Sequence, residues 1–175
     1  DYVMMVSSYL AAGDGTVGAY FSNKEFTGSN GIWTGGQYWP VSAATLNFLA
    51  VAPQETGAVT TSISDQGVAT VTVESNETKQ HDVMYAVGQA SKTAGAAPGG
   101  NVSMLFKHAL SWINFNFKTT NASGVTIKIN SVTINGATVN GELTVESTNY
   151  TSNTTQEATA SWNNTTAHQS GINVP

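Results

Sequence analysis

The chain has 175 residues, a formal net charge of −5 at pH 7, 40% apolar and only 10% charged residues, and no cysteine. Lack of cysteine excludes disulfides, thiol catalysis and cysteine-based zinc sites. The six basic side chains are all lysine, scattered from Lys24 to Lys128 on an acidic chain, which argues against a nucleic-acid surface and against attraction to anionic lipid head groups.

A chain of this length suits one domain that buries about 70% of its extended surface. Threonine, serine, asparagine and glycine supply the polarity that charges normally carry. Threonine suits strand faces and asparagine and glycine suit turns, so the composition points to an all-β fold. No apolar run approaches the length of a membrane span. The chain opens at Asp1 with no signal sequence and no Met, and the expectation is a processed or truncated piece.

In chain order, residues 2–11 read as a strand, Asp14-Gly15 as a turn and residues 16–21 as a short strand. Residues 22–37 read as a loop, with glycine at 28, 31, 35 and 36 and Trp33 inside it. Residues 45–52 carry apolar side chains in both phases, as in a strand covered on both sides, and Pro53 stops it. Residues 67–74 alternate around Val71 and Val73, and residues 83–87 form another short strand. The glycine- and alanine-rich residues 88–101 read as a flexible segment.

Residues 102–118 are the longest apolar-patterned run. Val102, Met104 and Phe106 occupy even positions, and Ile113, Phe115 and Phe117 odd ones. A strand–bulge–strand accounts for the change of phase and keeps both sets on the core. Residues 125–134 alternate through Val125, Ile127 and Ile129, then shift phase to Val132 and Ile134 near Asn130. Asn135-Gly136 and Asn140-Gly141 read as tight turns, with Leu143 and Val145 on the returning strand. Residues 158–162 make a last short strand and residues 163–175 a tail or linker. The spacing of about nine such strands is that of a β-sandwich.

The long run also carries a resemblance. Phe106-Lys107-His108-Ala109-Leu110-Ser111 followed by Ile113 resembles the F-K-H-A-L-S-x-I signature of the fimbrillin family, the pilin and pilus-tip proteins of Bacteroides-type bacteria. Tyr38-Trp39-Pro40 with the later Leu46-Asn47-Phe48-Leu49-Ala50-Val51-Ala52-Pro53 is similar to its Y-W-P…L-N-F-x-A-x-A-P segment, and Asp82-Val83-Met84-Tyr85-Ala86 to its D-L-M-Y-A segment. The resemblance implies a transthyretin-like Greek-key β-sandwich of about 7–10 strands. It makes residues 1–175 a single N-terminal domain, with residues 163–175 a tail or junction to a second β domain. It implies a lipoprotein precursor, anchored in the outer membrane through a lipid-bearing cysteine this chain lacks. It also implies a non-enzymatic subunit (shaft, anchor or tip) of an extracellular fimbria, partnered with other pilin subunits by strand exchange and serving adhesion to host or bacterial surface glycans or proteins.

A search for chemistry returns little. His108 lies among apolar neighbours, and Asp82 and Glu142 are too distant in sequence to imply pairing, so a backbone-bonded histidine is expected. His81-Asp82 is a candidate metal pair that lacks further ligands nearby and reads as a loop end. No calcium loop, nucleophile elbow, phosphate loop or close carboxylate pair is present, so no catalytic, cofactor or metal residue is assigned. Trp33, Tyr38 and Trp39 in or beside the glycine-rich loop offer a glycan-stacking platform, against the plainer reading that they plug one end of the sandwich. Asn-x-Ser/Thr triplets at Asn76, Asn101, Asn121, Asn149, Asn153, Asn163 and Asn164 follow from the Asn- and Thr-rich composition.

Overall fold

A computed structural model describes residues 2–11, 19–41, 44–54, 62–63, 68–72, 80–92, 101–120, 124, 126–146, 158–167 and 172–174. Among them every regular element is a strand. These are β1 (Tyr2–Leu10), β2 (Ala19–Ser29), β3 (Ile32–Thr34), β4 (Ala44–Ala52), β5 (Ser62–Ile63) and β6 (Val68–Thr72). After them come β7 (Met84–Lys92), β8 (Lys107–His108), β9 (Val132–Ile134), β10 (Thr138–Glu146), β11 (Thr159–Ala167) and β12 (Ile172–Val174). A six-stranded sheet runs β3-β2-β1-β4-β7-β8, a four-stranded sheet β11-β10-β6-β5, and β12 pairs with β9. Every one of these pairings is antiparallel.

β4 sits in the middle of the larger sheet and is buried on both faces, as its two-phase apolar pattern predicts. Successive strand residues point to opposite faces, so β4 serves two cores. Leu49 and Val51 join Met5, Tyr85 and Val87 of the same sheet, and meet Ala69, Val71, Leu143 and Val145 of the smaller sheet. The two sheets therefore share one apolar core. Leu46, Phe48, Ala50 and Ala52 face the other way, with Met4, Val6 and Ala90. Phe21, Phe26, Trp33, Trp39, Val102, Met104 and Phe106 cover that second face.

The cover depends on small residues in β7. The register sets Ala90 opposite Leu46, Gly88 opposite Phe48 and Ala86 opposite Ala50, which makes a narrow stripe of small side chains on the second face. A Cβ at Gly88 would lie 2.7 Å from Val102 Cγ1 and 3.3 Å from the Ser103 carbonyl oxygen. Residues 88–92 therefore continue β7 and do not begin a flexible segment. Gly88 is there to admit the chain that crosses it.

The loop expected over residues 22–37 is instead most of β2, a tight turn and β3. Asn30 and Gly31 both take positive φ, 55° and 79°, as a two-residue hairpin turn requires. Gly28 pairs with Trp33, and a Cβ there would strike the Ile32 carbonyl and come within 2.8 Å of Trp33 Cα. Between β1 and β2, Ser22 and Asn23 oppose Ser7 alone, a bulge. The Asn23 backbone N–H at the bulge donates to Ser7 Oγ at 2.8 Å, and Ser8 Oγ donates to the Asn47 carbonyl at 2.9 Å. Both buried hydroxyls are thereby satisfied.

Further differences lie in the second half. Asn140-Gly141 is not a turn: both residues sit inside β10, laddered to Thr72 and Val71 of β6, and the ladder to β11 shifts register beside them. A ladder on both edges overrides a local turn preference. Residues 163–167 continue β11, and Ile172, Asn173 and Val174 pair with β9, where composition reads only as a tail. Gly136, with φ 73°, lies at a bend between β9 and β10, which pair with other strands and not with each other, so no tight hairpin turn forms there. The expectations for Asp14-Gly15 and for Val73 fall outside the described residues.

Gly88→Val is predicted to destabilise the fold by about 1–3 kcal/mol, because the added methyls overpack against Val102 and Ser103. Urea unfolding followed by tryptophan fluorescence would read this as a lower midpoint.

Candidate strand-docking surface

The run at residues 102–118 divides at its middle. Val102, Met104 and Phe106 pack on the outer core of the large sheet, as their even phase predicts. Lys107 and His108 then pair with Tyr85 and Met84, and the Ala109 N–H donates to the Val83 carbonyl at 2.7 Å. Ala109 and Leu110 reach the other core, the one shared with the smaller sheet. The chain thus passes from one face of the sheet to the other around the margin of β7.

Beyond Leu110 the expected second strand does not form. Residues 111–120 are exposed and belong to no ladder, so Ile113, Phe115 and Phe117 are not on the core. Alternation creates an apolar edge-on face in the sequence, but nothing among the described residues covers it. Trp112 is 94% exposed, and Phe115 and Phe117 stack on each other at 6.0 Å. Residues 126–130 repeat the situation: Ile127, 62% exposed, and Ile129 alternate with Thr126, Lys128 and Asn130, again outside any ladder. Two strand-length amphipathic segments therefore present large apolar side chains to solvent. Contiguous exposed apolar surface is a candidate for interaction with a partner.

His108 is corrected by the structure. Its Nδ1 lies 2.5 Å from Asp82 Oδ2, so the pairing that sequence distance argued against is made. The cause is the β7–β8 register, which sets His108 beside Met84, two residues from Asp82. The side chains are 72% and 50% exposed, so the pair lies in solvent and not at the floor of a cleft. An exposed pair of this kind contributes little to stability. It fastens β8 to the segment before β7. His81 adds no third ligand, and among the described residues no group of His, Asp or Glu side chains gathers in a way that would hold a metal ion.

The aromatic platform is split. Trp33 and Trp39 are half-buried against the outer core, Trp39 with its ring edge to Phe48 at 6.0 Å. Tyr38 is 83% exposed, its carbonyl accepting the Tyr20 hydroxyl at 2.9 Å.

Compared with known families, the chain matches a family model described as fimbrillin-like over residues 3–175. No curated protein and no solved structure matches it.

Phe115→Ser with Phe117→Ser is predicted to lower the binding of a hydrophobic fluorescent dye to the native chain while leaving the urea midpoint within about 0.5 kcal/mol of wild type, as for surface positions. A large loss of stability would mean that the two rings belong to a core.

Proposed function

Since this chain belongs to the fimbrillin-like family, we propose that it is a structural subunit of a bacterial surface fimbria, as shaft, anchor or tip, assembled by β-strand exchange and contributing to adhesion. Its partners are other pilin subunits outside the cell. The single observation that carries this reading is the pair of exposed amphipathic segments at residues 111–120 and 126–130, which have strand length and strand period but no sheet. Main-chain groups of such a segment give hydrogen bonds to a neighbouring strand, and its alternate side chains set the register. A contact of this type between unlike surfaces does not close on itself, and repeats into a fibre.

The position of β1 limits how exchange proceeds. β1 is laddered to β2 on one edge and to β4 on the other, and Met4, Met5 and Val6 are buried. Departure or entry of such a strand would break or form both ladders together. Light scattering on the 175-residue chain at rising concentration tests the reading. Growth into polydisperse multimers is expected, with the Phe115→Ser, Phe117→Ser chain staying smaller. A wild-type chain that remains monomeric throughout contradicts the shaft role and leaves only anchor or tip.

Tyr38 favours a second reading, a surface carbohydrate-binding module, because its ring is open to solvent between the better-buried Trp33 and Trp39. On a glycan array, that reading predicts binding that Tyr38→Ala abolishes. An absence of binding by the wild type removes it.

A further inference from the structure

Asparagine is a thermally labile residue, most so before glycine, which has no side chain to hinder attack of its nitrogen on the asparagine amide. Three such pairs occur here, Asn30-Gly31, Asn135-Gly136 and Asn140-Gly141. The fold restrains them unequally.

Asn140 and Gly141 lie inside β10. Both are laddered to β6, opposite Thr72 and Val71, and Asn140 also to Thr166 of β11. Asn30 and Gly31 are exposed, yet the pairs Ser29–Ile32 and Gly28–Trp33 close the hairpin directly beneath them. Their positive φ values are those that the two-residue turn imposes. Neither restraint acts at Asn135-Gly136. Ile134 is paired with Ile172 and Thr138 with Ala167, but residues 135–137 between them are outside any strand. Both residues are exposed, and a Cβ placed on Gly136 would meet no atom within 4 Å. Glycine adds its own backbone freedom. This link can therefore turn about its own bonds without breaking a strand pair.

We propose that Asn135 is a site of spontaneous modification, converted in the folded chain to aspartate and isoaspartate while Asn30 and Asn140 are spared. The Gly136 backbone nitrogen attacks Asn135 Cγ. An N–Cγ bond forms and the Cγ–Nδ2 bond breaks. Nδ2 leaves as ammonia, with the proton that the Gly136 N–H gives up. Water then opens the cyclic imide at either of its carbonyl carbons. Attack at Cγ gives aspartate. Attack at the main-chain carbonyl carbon gives isoaspartate, whose backbone runs through Cβ and Cγ. Either product carries a carboxylate in place of an amide, so the formal charge moves from −5 to −6. Ring closure requires rotation about the asparagine ψ, which the turn at Asn30 and the ladders at Asn140 allow only after local opening. The pairs Ile134–Ile172 and Thr138–Ala167 lie on either side of the reacting bonds. The altered chain keeps its fold, and the new charge marks the age of each copy.

Folded chain held at mildly alkaline pH is sampled over days, beside a portion unfolded in guanidinium chloride. Ion exchange separates the more acidic species, fragmentation mass spectrometry locates them, and an isoaspartyl methyltransferase labels the isoaspartate. In the folded chain Asn135 is expected to convert at least about ten-fold faster than Asn30 or Asn140. In the unfolded chain the three are expected to convert at similar rates. Asn135→Gln is expected to remove most of the acidic species from the folded sample, since glutamine must close a larger and slower ring. Conversion of Asn30 or Asn140 in the folded chain as fast as Asn135 overturns the proposal. So does a folded chain that stays unchanged after the unfolded one has converted at all three sites.

Discussion

Burial of β4 on both faces is the constraint from which the remaining arrangement follows. A strand with one apolar face needs one cover; β4 has two such faces and needs two. The smaller sheet supplies one, through Val71, Leu143 and Val145. Among the described residues no second sheet supplies the other. It is closed by the extended chain at Val102, Met104 and Phe106 and by the aromatic side chains around Trp33 and Trp39. A cover of this kind ends where its chain leaves the sheet, after the Ala109 N–H bonds to Val83. The apolar alternation of the sequence continues past that point, and the exposed face at Ile113, Phe115 and Phe117 is the result.

The same logic separates buried from exposed parts of one continuous sequence pattern. Residues 102–110 and 111–118 alternate equally well, but only the first half has Ala86, Gly88 and Ala90 beneath it to receive its side chains. The fibre-subunit role proposed above would give the second half a use. A subunit that must join others needs apolar strand-forming surface that its own fold leaves open.

Much of the large sheet was legible from residue patterns. β1 and β4 follow from their apolar runs, and the two-phase burial of β4 from its apolar residues at odd and even positions. The resemblance in residues 106–113 led to the family. What stayed illegible depended on contacts between distant segments. Gly28 and Gly88 read as loop and flexible residues, because sequence does not show that each lies under another piece of chain. Asn30-Gly31 carried a usable hairpin signal that the surrounding glycines obscured, whereas Asn140-Gly141 carried the same signal inside a strand held on both edges. The Asp82–His108 pair is the clearest case. Both residues lie in the segments that carried the resemblance, and setting those segments side by side as neighbouring strands would have brought them together.

Amide hydrogen exchange resolved along residues 111–120, compared between dilute monomer and concentrated assembly, tests the central claim most directly. Fast exchange in the monomer that slows strongly on assembly is the predicted result, because these amides gain strand partners only from a neighbouring copy. Slow exchange already present in the dilute monomer, or exchange that stays fast in the assembled form, contradicts it.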